Sequence, residues 1–279
     1  MDPEIASALS FAGGALVSGK IIEKLLGPTA DYFGKGVQLW AEKRINNLGN
    51  IFANAHHKLG DRIDSPGAVP PRVFAGILNE GSFCDAALAT EYLGGVLASS
   101  RTEVSRDDRG AALISLVARL STYQLRLHYI LYRVFAEIYG GSNATVSDSA
   151  SRQTLCTYLP TNVFHDAMDF SEEENHEVIM HHALVGLGRE DLLGPNWALG
   201  GADLIRKHGY SVPAHGLVIE PSVFGVELFL HAHGRGNLLA NMFLSPDTRF
   251  DGIQGIAIPK GSRPVRLPSP PWETSHPSA

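Results

Sequence analysis

A run of apolar side chains at helical spacing between residues 109 and 140 constrains the fold more than any other feature of the sequence. Its members are Leu113, Leu116, Val117, Leu120, Leu127, Ile130, Leu131, Val134 and Ile138. They recur at i, i+3, i+4 and i+7, so they lie on one side of a helix. Ser121, followed three residues later by Gln124, is typical of a capping box. The sequence therefore predicts two consecutive helices that are separated at Ser121–Thr122.

The composition is that of an ordinary globular protein. The chain has 279 residues, of which 44% are apolar, enough for one large domain or two smaller ones. The formal net charge is −6, and Lys and Arg are spread along the chain. This distribution argues against broad contact with nucleic acid phosphates, although a local basic patch remains open. Two distant cysteines, Cys84 and Cys156, favour a reducing cytoplasm over a disulfide framework or a thiolate metal site.

The N-terminal segment is apolar but short. Residues 5–19 carry no charge, yet they include Gly and Ser and are followed by Lys20. A membrane-spanning helix needs roughly 20 mainly apolar residues, and a signal peptide normally opens with positive charge rather than with Asp2 and Glu4. We expect a helix that packs against the rest of the protein. Peripheral membrane contact through residues 5–26 is the alternative.

The sequence predicts a mainly α fold that begins with a helical bundle over residues 1–141. Helical patterns run from residue 4 to about residue 63, from 72 to 81 and from 84 to 99, ahead of the central pair. Pro71 suits the first turn of the second of these helices. The polar stretch 142–154 is predicted to be an exposed linker and the domain boundary.

A smaller α+β domain is predicted over residues 155–260. Helices are expected at 172–187, 192–207 and from Pro221 to Gly234, with strands at 216–220 and 253–258. This order of elements suggests a winged-helix-like unit. The Pro-rich remainder, 261–279, is predicted to be a disordered tail.

The histidine-rich motifs do not match known catalytic or metal-binding patterns. His176 is followed by His181 and His182, a spacing of five or six, whereas a zinc-protease helix needs its histidines at i and i+4. A polar helix face is the favoured interpretation. The chain has no G-x-S-x-G motif and no phosphate-binding loop. Cys84 has no positively charged sequence neighbour, so a buried, inert thiol is expected. We therefore predict no catalytic residues, metal or cofactor.

Glu227 is the one polar position that the pattern singles out. It lies among apolar residues on a predicted helix, in PSVFGVELFLHAHG. A carboxylate in such a place must reach solvent or find a partner such as His or Arg. A structural hydrogen bond is favoured over a catalytic role.

Three segments follow a known family pattern: residues 26–59, residues 69–100 with a Pro-bounded helix, and residues 112–131 with two helices joined by Leu-Ser; residues 181–193 and 218–234 match it more loosely. The resemblance that these segments carry is to the abortive infection alpha family of bacterial proteins. It covers about residues 26–234 and is one of spacing rather than of catalytic signature. It implies a cytoplasmic, helical bacterial protein connected with defence against bacteriophage, and it transfers no catalytic residue.

Three functional hypotheses follow. The first is a non-enzymatic defence protein that acts through contacts with a protein partner or with itself. The second is a nucleic-acid-binding regulator whose phosphate contacts come from Arg189, Arg206, Lys207 and Arg235. The third is a membrane-active effector that uses residues 5–26.

Overall fold

The protein is described by a computed structural model that covers the backbone of residues 30–84 and 86–265 and the side chains from residue 42 within those ranges. The predicted segment at 5–26 and the end of the chain from residue 266 lie outside the described residues. The chain divides into two compact units, Met1–Arg119 and Leu120–Ala279. The prediction of a mainly helical protein with a small α+β part is confirmed, since the strands form one four-stranded sheet.

The described residues of the first unit, from residue 30 onward, form helices joined by turns and loops. The helices are α1 (Ala30–Leu59), α2 (Pro71–Asn79), α3 (Ala87–Ser100) and α4 (Arg109–Arg119), with short 3-10 turns at Gly60–Asp64 and Gly81–Phe83. Pro71 occupies the first turn of α2, as predicted. The α3 helix packs along α1, and most of its side chains are buried.

One glycine allows α1 and α3 to pack closely. A Cβ atom on Gly94 would lie 2.5 Å from Asn54 Cβ and 2.9 Å from the backbone oxygen of Ile51. The two backbones therefore approach more closely at this point than any larger residue would permit.

The second unit begins with α5 (Thr122–Tyr139), whose start is the predicted capping box. The amide of Gln124 donates to Ser121 Oγ at 3.2 Å, and the amide of Ser121 donates to Gln124 Oε1 at 2.8 Å. The sequence predicts a domain boundary after residue 141, whereas the structure divides after Arg119. The reason is that α5 buries its apolar side against later helices of the second unit.

The later elements of the second unit alternate between helices and short strands. In chain order they are α6 (Ser149–Gln153), β1 (Thr157–Pro160), α7 (Thr161–Met168), α8 (His176–Arg189), β2 (Trp197–Gly200), α9 (Ala202–Lys207), β3 (Gly216–Ile219), α10 (Val223–Ala232), a 3-10 turn at Ala240–Met242 and β4 (Arg263–Pro264). The segment predicted to be a linker, 142–154, therefore contains a helix, α6. Residues 263–264, in the predicted tail, belong to the sheet.

The sheet has the order β2-β3-β1-β4, and all its pairings are antiparallel. Tyr158, Ala198 and Val218 point to one face, where they pack with Ile205 of α9 and with Tyr210. This cluster is the apolar layer between the sheet and the chain segment that follows β2.

The strand predictions had mixed outcomes. The strand expected at 216–220 is confirmed as β3. The prediction of a strand at 253–258 is wrong, because this segment turns at Gly255, where φ is +83°. Up to residue 265 the unit has four strands instead of the two predicted, and a helix lies between each strand and the next one along the chain. The observed unit is therefore α+β, as predicted, but it has more strands than the predicted winged-helix-like unit.

None of the helices within residues 30–84 and 86–265 is long and apolar enough to cross a membrane.

Candidate functional site

A groove of about 980 Å³ opens on the second unit between α7, α8, the end of β2, α9 and the residue before β3. We call it the histidine groove, because four of its lining residues are histidines. The lining residues are Thr161, Phe164, His165, His176, Glu177, Val178, Met180, His181, Leu199, Gly200, Gly201, Leu204 and His215. The groove draws its side chains from five separate elements and loops of the chain.

The α8 helix places two of the histidines. It begins at His176, and Asn175 caps it by accepting from the amide of Val178 at 3.2 Å. His176 and His181 both line the groove, although their spacing of five does not align them on one metal ion. Nowhere in the described ranges do three or more His, Cys, Asp or Glu residues form a group that could hold a metal ion.

An aromatic cluster fixes the ring of His176. The ring centroids of His165 and His176 are 4.6 Å apart, and Phe170 stacks on His176 at 4.9 Å. His176 Nε2 lies 2.7 Å from the backbone oxygen of Ser171. Since a carbonyl oxygen can only accept, this nitrogen carries the proton. The ring is therefore held in one orientation by stacking and by a hydrogen bond.

The turn before α8 is stabilised by Glu174. Its carboxylate accepts from the hydroxyl of Tyr123 and, at 2.8 Å, from the amide of Ser171. The Tyr123 hydroxyl and the Ser171 amide hold the pKa of Glu174 below its usual range. The same carboxylate raises the pKa of Tyr123. These contacts place the Ser171 carbonyl where His176 reaches it.

A second polar contact lies where α7 begins. Thr161 Oγ1 lies 2.5 Å from His215 Nδ1, and the amide of Thr161 donates to the backbone oxygen of His215 at 3.2 Å. The two hydrogen bonds tie the start of α7 to the residue before β3. A hydroxyl beside an imidazole is one part of a nucleophile–base arrangement. Within residues 42–84 and 86–265 no acid forms a hydrogen bond or ion pair with His215, so nothing there orients the imidazole as a third catalytic member would.

The rest of the groove is apolar and partly open to solvent. Val178 is 62% exposed and Leu204 is 46% exposed. Leu199 lies partly exposed on β2, while Phe164 and Met180 are buried. A concave surface that combines exposed aliphatic side chains with a few polar groups is typical of a binding site.

Glu227, which the sequence singles out, reaches solvent. It is partly exposed on α10, and its backbone oxygen accepts from His231 Nδ1 at 2.9 Å. The sequence analysis required that the Glu227 carboxylate reach solvent or find a partner. Its partial exposure meets this requirement, so no binding or catalytic site is needed to explain its position.

Among the residues whose side chains the structure describes, the carboxylate that the core buries is Glu220. It is 1% exposed and accepts from Arg152 Nε at 3.0 Å and from the side-chain amide of Asn196. Sequence reasoning missed this residue. The signal was available, because Glu220 directly follows the apolar strand 216–219 and precedes Pro221.

A buried polar network joins α5 to α10. The hydroxyl of Tyr132 donates to the backbone oxygen of Leu192 at 2.9 Å and accepts from the amide of Ser222 at 3.0 Å. His128 Nε2 donates to the backbone oxygen of Gly225 at 3.1 Å. Burial lowers the pKa of His128 to about 3 and raises the pKa of Tyr132. Both groups are therefore neutral near pH 7, and their hydrogen bonds link α5 to the start of α10 and to the loop before β2.

The four basic residues of the nucleic-acid hypothesis are spread over the end of α8, the end of α9 and the turn after α10. Arg189 ends α8 and pairs with Glu190 at 3.3 Å, and Arg206 pairs with Asp203 at 2.8 Å within α9. Lys207 is exposed at the end of α9, and Arg235 is partly exposed after α10. Two of the four cations thus have an acidic neighbour, which reduces the local positive potential.

No family model, no characterised protein and no solved structure matches this chain.

Proposed function

We propose that this chain is a non-enzymatic binding protein of a bacterial phage-defence system, of the abortive infection type, and that it works in the cytoplasm through the histidine groove. The proposed occupant is an aliphatic segment of a partner protein that carries an acidic side chain. The defence role comes from the family resemblance, and the choice of surface comes from the groove.

The observation that carries the proposal is the exposure of Val178 and Leu204 in a concave surface. Burying one aliphatic side chain of this size contributes roughly 1.5–3 kcal/mol. Contact with both residues would contribute a substantial part of the free energy of a specific complex, even after the entropic cost of association.

The polar groups of the groove favour an acidic residue on the partner. Four imidazoles line the groove, and one of them, His176, already donates to the Ser171 carbonyl. Glu177 is the one carboxylate among the lining residues. Imidazole N–H groups donate to carboxylates, and a carboxylate also favours the charged form of a nearby imidazole. Groups of this kind give orientation and specificity to an otherwise apolar site.

The experiment compares phage plating on cells that express the wild type, Val178→Lys, Leu204→Lys or Leu239→Lys. Leu239 is the matched control, because it is 75% exposed and does not line the groove. We expect the wild type and the control variant to reduce plating and both groove variants to lose this protection. Circular dichroism shows whether each variant is folded.

Two results would contradict the proposal in different ways. If the wild type gives no protection against a broad phage panel, the defence role is wrong. If folded Val178→Lys and Leu204→Lys protect as well as the wild type, the groove is not the functional surface.

A further inference from the structure

The β2 strand forms one edge of the sheet. Its four residues pair with β3, in the register Trp197 to Ile219 through Gly200 to Gly216. Within the part of the chain that the structure describes, these residues make no backbone hydrogen bond to any other strand. Every second N–H and C=O group of an edge strand points away from the sheet, so the outer side of β2 offers a template for a further strand.

The two edges of the sheet differ in a way that bears on association. The opposite edge, β4, is two residues long and consists of Arg263 and Pro264. Short length, charge and proline are the devices that prevent edge strands from pairing with other chains. The sequence of β2, Trp-Ala-Leu-Gly, contains no charge and no proline. Of these two edges, β4 alone therefore carries the usual protection.

The side chains of β2 are complementary to a second copy of the same strand. Trp197 and Leu199 point to one face and remain partly exposed, while Ala198 packs on the other face. An antiparallel pairing centred on Ala198 sets Trp197 of each copy opposite Leu199 of the other. This register keeps the large apolar side chains on one face, whereas a slip of one residue would reverse the faces.

The charges around β2 also permit this pairing. Residues 195–201, Pro-Asn-Trp-Ala-Leu-Gly-Gly, are all uncharged. Like charges that face each other across two strands destabilise the pair. Two antiparallel copies of this segment bring no such charges together.

We propose that two copies of the chain pair through their β2 edges, related by a two-fold axis at Ala198, to form a continuous eight-stranded sheet. Such an interface is isologous, because each copy contributes the same strand. The inference goes beyond the proposed function, since it names a second copy as the partner and uses the strand edge rather than the interior of the groove.

The first test measures the mass of the full chain in solution by sedimentation over a wide concentration range. We expect a reversible dimer. Trp197→Lys adds a charge to the edge without altering a residue that lines the groove, and we expect it to raise the dimer dissociation constant by roughly tenfold or more. Leu239→Lys gives the same change of charge elsewhere and should leave the dimer intact. A chain that stays monomeric throughout, or a folded Trp197→Lys that dimerises normally, overturns the inference.

Hydrogen exchange of the wild-type chain provides a second test that needs no variant at the strand. We expect the amides of residues 197–200 to become more protected as the protein concentration rises. Amide protection that does not depend on protein concentration overturns the inference. If such protection is lost when residues 266–279 are removed, the strand that pairs with β2 is the chain's own end. Val178 belongs to α8 and Trp197 does not line the groove. Val178→Lys therefore tests the groove and Trp197→Lys tests the strand edge, so either proposal can fail without the other.

Discussion

Arg152 donates to the carboxylate of Glu220 at 3.0 Å, and this carboxylate is 1% exposed. The pair joins α6 to the residue after β3, sixty-eight positions later in the chain. Arg152 also donates to the backbone oxygen of Val146 at 3.0 Å, and Asn196 donates to the other carboxylate oxygen of Glu220. The segment that the sequence marks as a linker is thereby fixed to the sheet.

We expect Arg152→Met to lower the free energy of unfolding by about 3–5 kcal/mol, because it leaves a buried carboxylate without its cation. The double variant Arg152→Met/Glu220→Met should recover much of this loss, since it removes both charges. Urea unfolding of the wild type, the two single variants and the double variant measures the difference. Equal stability of Arg152→Met and the wild type would show that the pair is too hydrated to matter.

Two glycines of the first unit should respond oppositely to alanine. Gly94→Ala places a methyl group against Asn54 Cβ and the backbone of Ile51, and we expect a loss of about 1–3 kcal/mol. A Cβ atom on Gly49, in α1, would meet no packed neighbour within 4 Å, so Gly49→Ala should gain about 0.5–1 kcal/mol from helix propensity. Thermal or urea unfolding followed at the helical signal checks both. A destabilising Gly49→Ala would contradict the open surroundings of this position.

His128 should make the stability depend on pH on the acid side. Burial lowers its pKa in the folded protein to about 3, whereas an unfolded histidine titrates near 6.5. As the pH falls below about 6.5, the unfolded chain binds a proton that the folded chain does not bind, so stability is lost progressively towards pH 3. His128→Gln should remove this component. The measurement is the difference in unfolding free energy between wild type and variant at several pH values, which cancels most of the carboxylate titration. A constant difference would contradict the prediction.

The two cysteines should differ in reactivity. Burial raises the pKa of the Cys156 thiol to about 11, and this thiol lies 3.9 Å from the hydroxyl of Tyr210. The sequence predicts a buried thiol at Cys84, but this residue is partly exposed. Because the thiolate is the reactive form, alkylation of the native protein near pH 8 should modify Cys84 well before Cys156. Mass spectrometry of peptides after brief labelling gives the order. Denatured protein serves as the control, in which both cysteines should be alkylated at equal rates. Equal alkylation rates in the native protein would mean that the Cys156 site opens readily.

The nucleic-acid hypothesis has its clearest test at low salt, where phosphate contacts are strongest. Since Arg189 and Arg206 pair with acidic neighbours and the net charge is −6, we expect no shift of DNA or RNA by the full chain. A salt-dependent shift that weakens in Arg206→Ala/Lys207→Ala, but not in Arg62→Ala, would instead support the regulator.

Local patterns determined much of the helical structure. The capping box at Ser121 and Gln124 and the proline at the start of α2 are decided by neighbours within four residues, so they could be predicted from the sequence. The strand at 216–219 was predictable for the same reason, as a short apolar run. The segment at 253–258 shows the limit of this reasoning, since its apolar residues are interrupted by the turn at Gly255.

Short-range patterns in the sequence specify where several helices begin, which of their sides are apolar, and that one polar residue on α10 needs a partner or solvent. The packing of distant segments specifies that Glu220 is buried, that Arg152 reaches it, and that His176 and His215 line one groove. Hydrogen bonds and side-chain contacts within a helix turn depend on residues three or four apart, which the sequence displays directly. The groove and the buried pair depend on how strands and helices pack across long separations, and no local pattern contains that information.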